Sequence, residues 1–340
     1  MERIKCYLEK VLLDERIAGM AVAVTDRRGI ICANGFGFES AERPEVLVTP
    51  DSLFRIASIT KVVTGMTILS LVEEGILFLD QPIKESINWL DLKDKNTQNN
   101  VTLGHLLSHT SGLPAEYTPD GPREESALEQ SLRDGLSELE IKFPLGEGYL
   151  YSNWGIRLAS LVAEKATGKR FTHLAQERIL KPLGMNRTTF DLHIAATYPI
   201  CLGHIENNGK FEVFHRIQEN AARQAAGGLF SNATDLCHLA RCLLNDGIND
   251  NGDRVLEKSS VDEMKQARGH TATSASYGIT LFQDRFKDSM IYYHTGSASP
   301  YATSLMIHPE SGIGVVTLMN TERKNLRRQI PEFIIDYLSK

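Results

Sequence analysis

What this 340-residue chain lacks narrows its chemistry before any motif is read. Neither sign of charge dominates: 37 Lys and Arg face 43 Asp and Glu, a net charge of −6, with both signs mixed along the sequence. Such a chain offers no basic face to nucleic acid and no polybasic segment to anionic lipid. No apolar run is long enough to span a membrane. The five cysteines, Cys6, Cys32, Cys201, Cys237 and Cys242, are an odd set without metal-site spacing. Cys237 and Cys242, five apart on an expected helix, fall on different faces. They read as reduced structural thiols. The ten histidines include no His-Glu-x-x-His pair, and the chain has no Gly-x-Gly-x-x-Gly and no P-loop. Residues 245–253 are rich in Asn, Asp and Gly, yet no register supplies the alternating ligands, central glycine and terminal glutamate of a calcium loop. No metal and no cofactor is therefore expected. The Gly-x-Ser-x-Gly elbow of α/β-hydrolases is missing too.

Two further absences concern organisation. No Pro/Gly/Ser-rich linker divides the chain, so its length allows one large domain or two. The first ten residues mix both charges and lack the apolar stretch of a signal peptide. As written the chain is expected in the cytoplasm; a start just after a removed signal would place it in the periplasm or outside the cell. The oligomeric state is left open.

What is present is ordinary globular composition, 42% hydrophobic and 24% charged. Ile4, Leu8, Val11 and Leu12 are spaced for an amphipathic first helix. Strand-like runs at 20–25 and 30–34 flank Asp26-Arg27-Arg28-Gly29, a hairpin signal. Helices are expected at 102–109, 124–139, 154–166, 171–180 and 233–244. Weaker strands are expected at 200–205 and 211–214, then stronger ones at 277–282, 290–293, 303–308 and 314–319, with a turn at Pro309-Glu310-Ser311-Gly312 and a closing helix at 326–338. Strands at both ends with helices between them predict an α+β fold, one sheet built from both termini with a helical region inserted.

The candidate chemistry starts at Ser58-Ile59-Thr60-Lys61, which opens an apolar run through Val62, Val63, Met66, Ile68, Leu69, Leu71 and Val72 to Gly75. The run reads as a buried helix with Gly75 near its stop and Ser58 in its first turn. Residues three apart share a helical face, so the Lys61 amine reaches the Ser58 hydroxyl. Unpaired N–H groups of the first turn point where an oxyanion would form. A lysine near pKa 10.4 needs about 4 to 5 kcal/mol to be neutral at pH 7, so burial or positive charge must depress it. Two readings stand for this segment alone: a nucleophile with its base, or a Ser cap beside a lysine whose stem lines apolar surface.

Later the chain supplies Tyr151-Ser152-Asn153 and His294-Thr295-Gly296, in that order. With them come Leu106-Leu107-Ser108-His109-Thr110-Ser111-Gly112-Leu113-Pro114, Lys181-Pro182-Leu183-Gly184-Met185 and Ala226-Gly227-Gly228-Leu229-Phe230-Ser231. From about Ile17 to about Asn320 the sequence resembles the serine β-lactamase and penicillin-binding-protein superfamily, in its branch of class C β-lactamases, DD-peptidases and family VIII esterases. That resemblance implies a DD-peptidase/β-lactamase-like α+β fold with an antiparallel sheet. It also implies a sheet domain from residues 1–85 and 225–340, a mainly helical domain of 86–224, and an active site between them.

The resemblance also implies roles. Ser58 would form an acyl-enzyme, activated by Lys61 and Tyr151 as a coupled base pair. Backbone N–H groups of Ser58 and Ser297 would form the oxyanion hole. Asn153, His294, Thr295 and Gly296 would contact substrate, Asn153 by binding an acyl amide or orienting the bases, although an Asn before a helix can equally be its cap. A strand glycine such as Gly296 marks a close approach, here expected from substrate. The implied function is a serine hydrolase acting on a small ester, amide, peptide or β-lactam. The other reading is a penicillin-binding sensor or degenerate binding module that acylates without turnover. Two departures stand out. Class C β-lactamases generally carry Lys where this chain has His294, and an imidazole near pKa 6.5 grips a carboxylate less firmly at pH 7. Ser299-Pro300-Tyr301 stands where many relatives have Pro-Gly-aromatic. No class A deacylating glutamate can be placed, which leaves Tyr151 to activate water.

Overall fold

The computed structural model describes residues 1–116, 121, 123–124, 126–217 and 219–340. Helix α1 (Glu2–Asp14) precedes β1 (Gly19–Thr25), β2 (Ile30–Ser40), β3 (Arg43–Leu47) and β4 (Phe54–Arg55); a 3-10 turn, Ala57–Ile59, then leads into α2 (Thr60–Glu73). A mainly helical stretch follows: α3 (Lys95–Asn100), α4 (Leu103–Leu107), α5 (Ala127–Leu136), α6 (Asn153–Thr167), α7 (Phe171–Ala175) running into a π-helical turn Gln176–Leu180, and α8 (Leu192–Ala195). Next come the hairpin β5 (His204–Asn207) and β6 (Lys210–Val213), then α9 (Gln224–Gly227), β7 (Phe230–Ser231), α10 (Ala233–Leu244) and α11 (Lys258–Lys265). The chain closes with β8 (Gly269–His270), β9 (Ser276–Tyr277), β10 (Phe282–Phe286), β11 (Ser289–Ala298), β12 (Tyr301–His308), β13 (Ile313–Met319) and α12 (Leu326–Leu338).

Among the described residues, nine strands form one sheet in the order β3-β2-β1-β13-β12-β11-β10-β9-β8. The chain ends meet in it: β1 pairs antiparallel with β13, Met20 opposite Met319 and Thr25 opposite Gly314. Successive residues of a strand face opposite sides, and β1 uses both. Met20, Val22 and Val24 pack with Ile4 and Leu8 of α1 and Ile330 and Ile334 of α12. Ala21 and Ala23 face the other way, into the core that holds α2 and α10. Because helices cover both faces, β1, β12 and β13 are buried throughout, which is why they read as continuous apolar runs. The fold is α+β, as expected.

Local signals placed most elements. Helices α10 and α12 have the expected bounds. Helix α2 is mostly apolar and nearly all buried, the pattern of a central helix; it stops at Gly75, whose φ of 70° favours glycine. The first hairpin closes as expected, Asp26 N–H donating to Gly29 O at 3.0 Å, but β2 runs on to Ser40. The single strand expected at 277–282 is two, because Thr280 takes φ 55° and Gly278 N–H turns back to Leu281 O at 2.8 Å. The helix expected at 124–139 is seen as α5; Glu125, in its expected first turn, lies outside the described residues. Among the described residues no helix is long and apolar enough to cross a membrane.

Candidate active site

Ser58 sits in the 3-10 turn just ahead of α2, one turn earlier than a simple helix would place it. The preceding residue, Ala57, has φ 49°, a left-handed conformation that costs a non-glycine residue energy. The turn is held in this shape from outside: Thr60 Oγ1 donates to Ala57 O at 2.7 Å, and Ile56 N–H donates to Leu229 O at 3.1 Å. The Ala226-to-Ser231 segment therefore wraps the nucleophile turn. Its neighbours also seat α2, with Thr64 Oγ1 donating to Ala225 O at 2.7 Å.

Lys61 has no exposed surface. Its Nζ donates to Ala226 O at 2.6 Å and Asn153 Oδ1 at 2.8 Å, and lies 3.2 Å from Ser58 Oγ. Three neighbours suit an ammonium with three donors, yet burial, followed by the positive Arg223, drives the Lys61 pKa well below the usual lysine range against the pull of Glu116. The two carbonyl oxygens can only accept, so they hold two N–H groups of the nitrogen, and its remaining position faces the Ser58 hydroxyl. With its ammonium form disfavoured there, an amine in that place could take the Ser58 proton.

Tyr151 packs against this pair, with Nζ 4.8 Å from its ring centroid. Its hydroxyl is buried and, among the described residues, makes no hydrogen bond of good geometry. Burial raises its pKa; the neighbouring Ser58, then Arg223 and Arg327, offset part of that rise. Asn153 is not the cap of α6. Ser152 is, accepting from Gly155 N–H, which frees the Asn153 amide to reach Lys61 on one side and donate to Glu116 O at 2.8 Å on the other.

The His109-to-Glu116 segment, a sequence landmark without an assigned role, braces these residues. Leu150 N–H donates to His109 O at 3.0 Å, Ser152 N–H to His109 Nδ1 at 3.2 Å, and Ser152 Oγ to Pro114 O at 2.9 Å. His109 packs its ring 4.4 Å from that of Tyr151, and burial, with Lys61 nearby, keeps it neutral. His109, Glu116, Arg223 and Tyr277 are the site residues that sequence reasoning missed; only His109 carried a signal, its place in the landmark.

Strand β11 forms the other wall, and here two expectations change. His294 is 1% exposed, with both ring nitrogens engaged: Nδ1–H donates to Thr295 O at 2.8 Å and Nε2 accepts from the Tyr277 hydroxyl at 3.1 Å. Burial first, then Lys61, pushes its pKa down to about 3. It is a neutral residue inside the aromatic wall, not a cation offered to a substrate carboxylate. Gly296 is required by the protein's own backbone: a Cβ there would stand 2.3 Å from Ile56 O and 2.2 Å from Thr303 Oγ1. The close approach expected from substrate is made by the strand that leads into Ser58. By strand alternation Thr295 and Ser297 face away from His294 and Gly296, and Ser297 Oγ donates to Glu322 at 2.7 Å. Ser299-Pro300-Tyr301 turns toward the 201–203 stretch, where Tyr301 donates to Cys201 O at 2.9 Å. Ser58 and Ser297 open on one cleft of about 700 Å³, bordered by Gly227, Gly228, Arg223 and Phe190.

The family model described as Beta-lactamase matches residues 4–338. Penicillin-binding protein 4 of Amycolatopsis lactamdurans is 26% identical over 284 residues, covering 81% of this chain and 74% of that protein. Protein flp of Staphylococcus aureus is 23% identical over 321 residues, covering 94% of this chain but 63% of its own length, so the chain spans less than two thirds of that relative. The solved structure of EstCE1, described as a hydrolase with promiscuous acyltransferase activity, superposes with a TM-score of 0.83 at 20% identity, covering 100% of this chain and 98% of that one.

Proposed function

The chain belongs to the Beta-lactamase family, and from that membership and the site geometry we propose that it is a serine hydrolase acting through a Ser58 acyl-enzyme. The observation that carries this is the placement of Lys61 Nζ, buried, held by the Asn153 and Ala226 carbonyl oxygens and 3.2 Å from Ser58 Oγ. Ser58 Oγ attacks an acyl carbon while its proton passes to Lys61. N–H groups of Ser58 and Ser297 receive the oxyanion. The bond to the leaving group breaks as Tyr151 gives that group a proton, and Lys61 restores the proton to Tyr151. Water repeats the sequence on the acyl-enzyme, with Tyr151 and Lys61 returning as the base.

A neutral His294 withdraws the cation that a carboxylate-bearing substrate would use there, so small neutral esters or amides are the proposed substrates ahead of β-lactams. Ser58→Ala is expected to abolish turnover of a p-nitrophenyl ester and covalent labelling by a fluorophosphonate. Label retained on the alanine variant, or found on another residue by intact mass, overturns the assignment.

One observation favours the reading as a sensor that acylates without turnover: burial raises the pKa of the Tyr151 hydroxyl even with Ser58 beside it, which keeps it a protonated phenol and a poor base for the deacylating water. A stoichiometric burst without linear turnover would select that reading.

A further inference from the structure

Arg157 is buried where the acylation chemistry asks for no cation. Its side chain is 2% exposed, and it lies four residues after Asn153 on α6, so both project from one helical face. Its Nη1 donates to Glu116 Oε1 at 2.6 Å, and the Glu116 side chain is only 11% exposed. A second N–H group donates to Ser131 Oγ on α5, and the guanidinium lies 4.4 Å over the Trp154 ring. A buried ion pair of this kind gains little stability over well-packed apolar residues. What it does supply is a fixed place for Glu116, which belongs to no helix or strand.

That place matters because the backbone of Glu116 faces the site. Its carbonyl accepts from Asn153 Nδ2 at 2.8 Å. A carbonyl only accepts, so Nδ2 must turn to Glu116 and Oδ1 to Lys61. The reverse orientation would set two oxygens together and press N–H groups against the amine. We propose that Arg157 is a positioning residue for the Ser58–Lys61 pair, acting through the Glu116 backbone and the Asn153 amide. The proposal rests on the Ser58 acyl-enzyme reading for its kinetic consequence, though not for the titration below. The Glu116 carboxylate also favours the ammonium form of Lys61, against Arg223, so the ion pair screens a charge that the base feels.

The test uses the full chain and three variants, Arg157→Met, Arg157→Lys and Glu116→Gln, with melting temperatures to confirm folding. Single-turnover acylation by p-nitrophenyl acetate is measured against pH, and the Lys61 titration is followed by NMR on isotope-labelled lysine, assigned with Lys61→Arg. Arg157→Met is expected to slow acylation by about 10²-fold, the scale of a displacement of about 1 Å in a catalytic group, and to raise the Lys61 pKa by unscreening Glu116. Arg157→Lys should recover part of both. Glu116→Gln keeps the carbonyl and the side-chain shape, and should lower the Lys61 pKa and carry the acid limb of the acylation profile with it; it decides the matter if Arg157→Met does not fold. An unmoved Lys61 titration in the folded variants overturns the proposal, whether or not activity falls, because lost activity alone would report a merely structural residue. If the wild type never acylates Ser58, the hydrolase reading fails, and the Lys61 titration still tests the positioning.

Discussion

Acidifying the protein from about pH 8 to about pH 5 should cost it about 2 kcal/mol of stability through His294 alone, and should leave its preference for carboxylate substrates untouched. In the folded state the imidazole is 1% exposed and stays neutral down to about pH 3, its Nδ1–H donating to Thr295 O and its Nε2 accepting from Tyr277. In the unfolded chain it titrates near pKa 6.5. With the folded pKa depressed, the unfolded state takes up a proton that the folded state refuses. The contribution is therefore complete above about pH 7 and is lost as pH falls through 6.5 toward 3, by about 1.4 kcal/mol per unit once the unfolded histidine is charged, which gives about 2 kcal/mol by pH 5. His109 and His204, the latter pushed to about 4 by burial, act in the same direction, so the raw curve is steeper. Urea unfolding of wild type and His294→Gln at the two pH values isolates the residue: the stability difference between them should narrow by about 2 kcal/mol at the lower pH. In parallel, the ratio of kcat/KM for a carboxylate-bearing ester over a neutral ester should stay flat from about pH 8 to about pH 6. A stability difference independent of pH, or a ratio that climbs as pH falls through 6.5, would refute the reasoning and put a protonated His294 against the substrate.

Other outcomes follow from the same geometry. Tyr151→Phe should slow both acylation and deacylation, by about 10² to 10⁴ if the phenol carries the proton; wild-type turnover in pre-steady-state kinetics would reassign the base. Gly296→Ala drives a methyl into Ile56 O and Thr303 Oγ1 and should destabilise by about 1 to 3 kcal/mol. In that variant kcat should drop more than KM changes, because β11 and its Ser297 N–H shift relative to Ser58. Adding Thr303→Ala should rescue only part, since the Ile56 carbonyl remains. Thermal melts and single-turnover rates of the two variants check this, and an unimpaired Gly296→Ala would show that β11 has slack.

Much of the fold was legible because its signals are local. The apolar repeat of α1, the run that makes α2, the glycine that ends it and the bounds of α10 and α12 all lie within one element. The two-residue strands β4 and β7 were not legible. They exist because Phe54 and Ser231 meet across 177 residues, and neither strand carries a period of its own. The split between β9 and β10 likewise depends on a single left-handed residue, Thr280, inside a run that alternates like one strand.

The candidate site divides along the same line. By itself the sequence determined that Ser58 and Lys61 lie three residues apart at the start of one apolar run, within reach of each other. It also determined the order of motifs by which the family is identified. Only the tertiary structure decided what those residues are chemically. Lys61 has its pKa depressed because the packing that buries it, and then the positive Arg223, come from distant segments, and a pKa responds to desolvation and charges that spacing along the chain does not encode. His294 reads in one dimension as a substrate contact with a weaker grip on a carboxylate than lysine, and becomes a neutral wall residue once Tyr277 closes on it. Gly296 is needed, but the backbone that requires it lies some 240 residues earlier, at Ile56. Charge state, side-chain direction and close approach are properties of the environment, and the environment exists only when the two ends of the chain have met in the sheet.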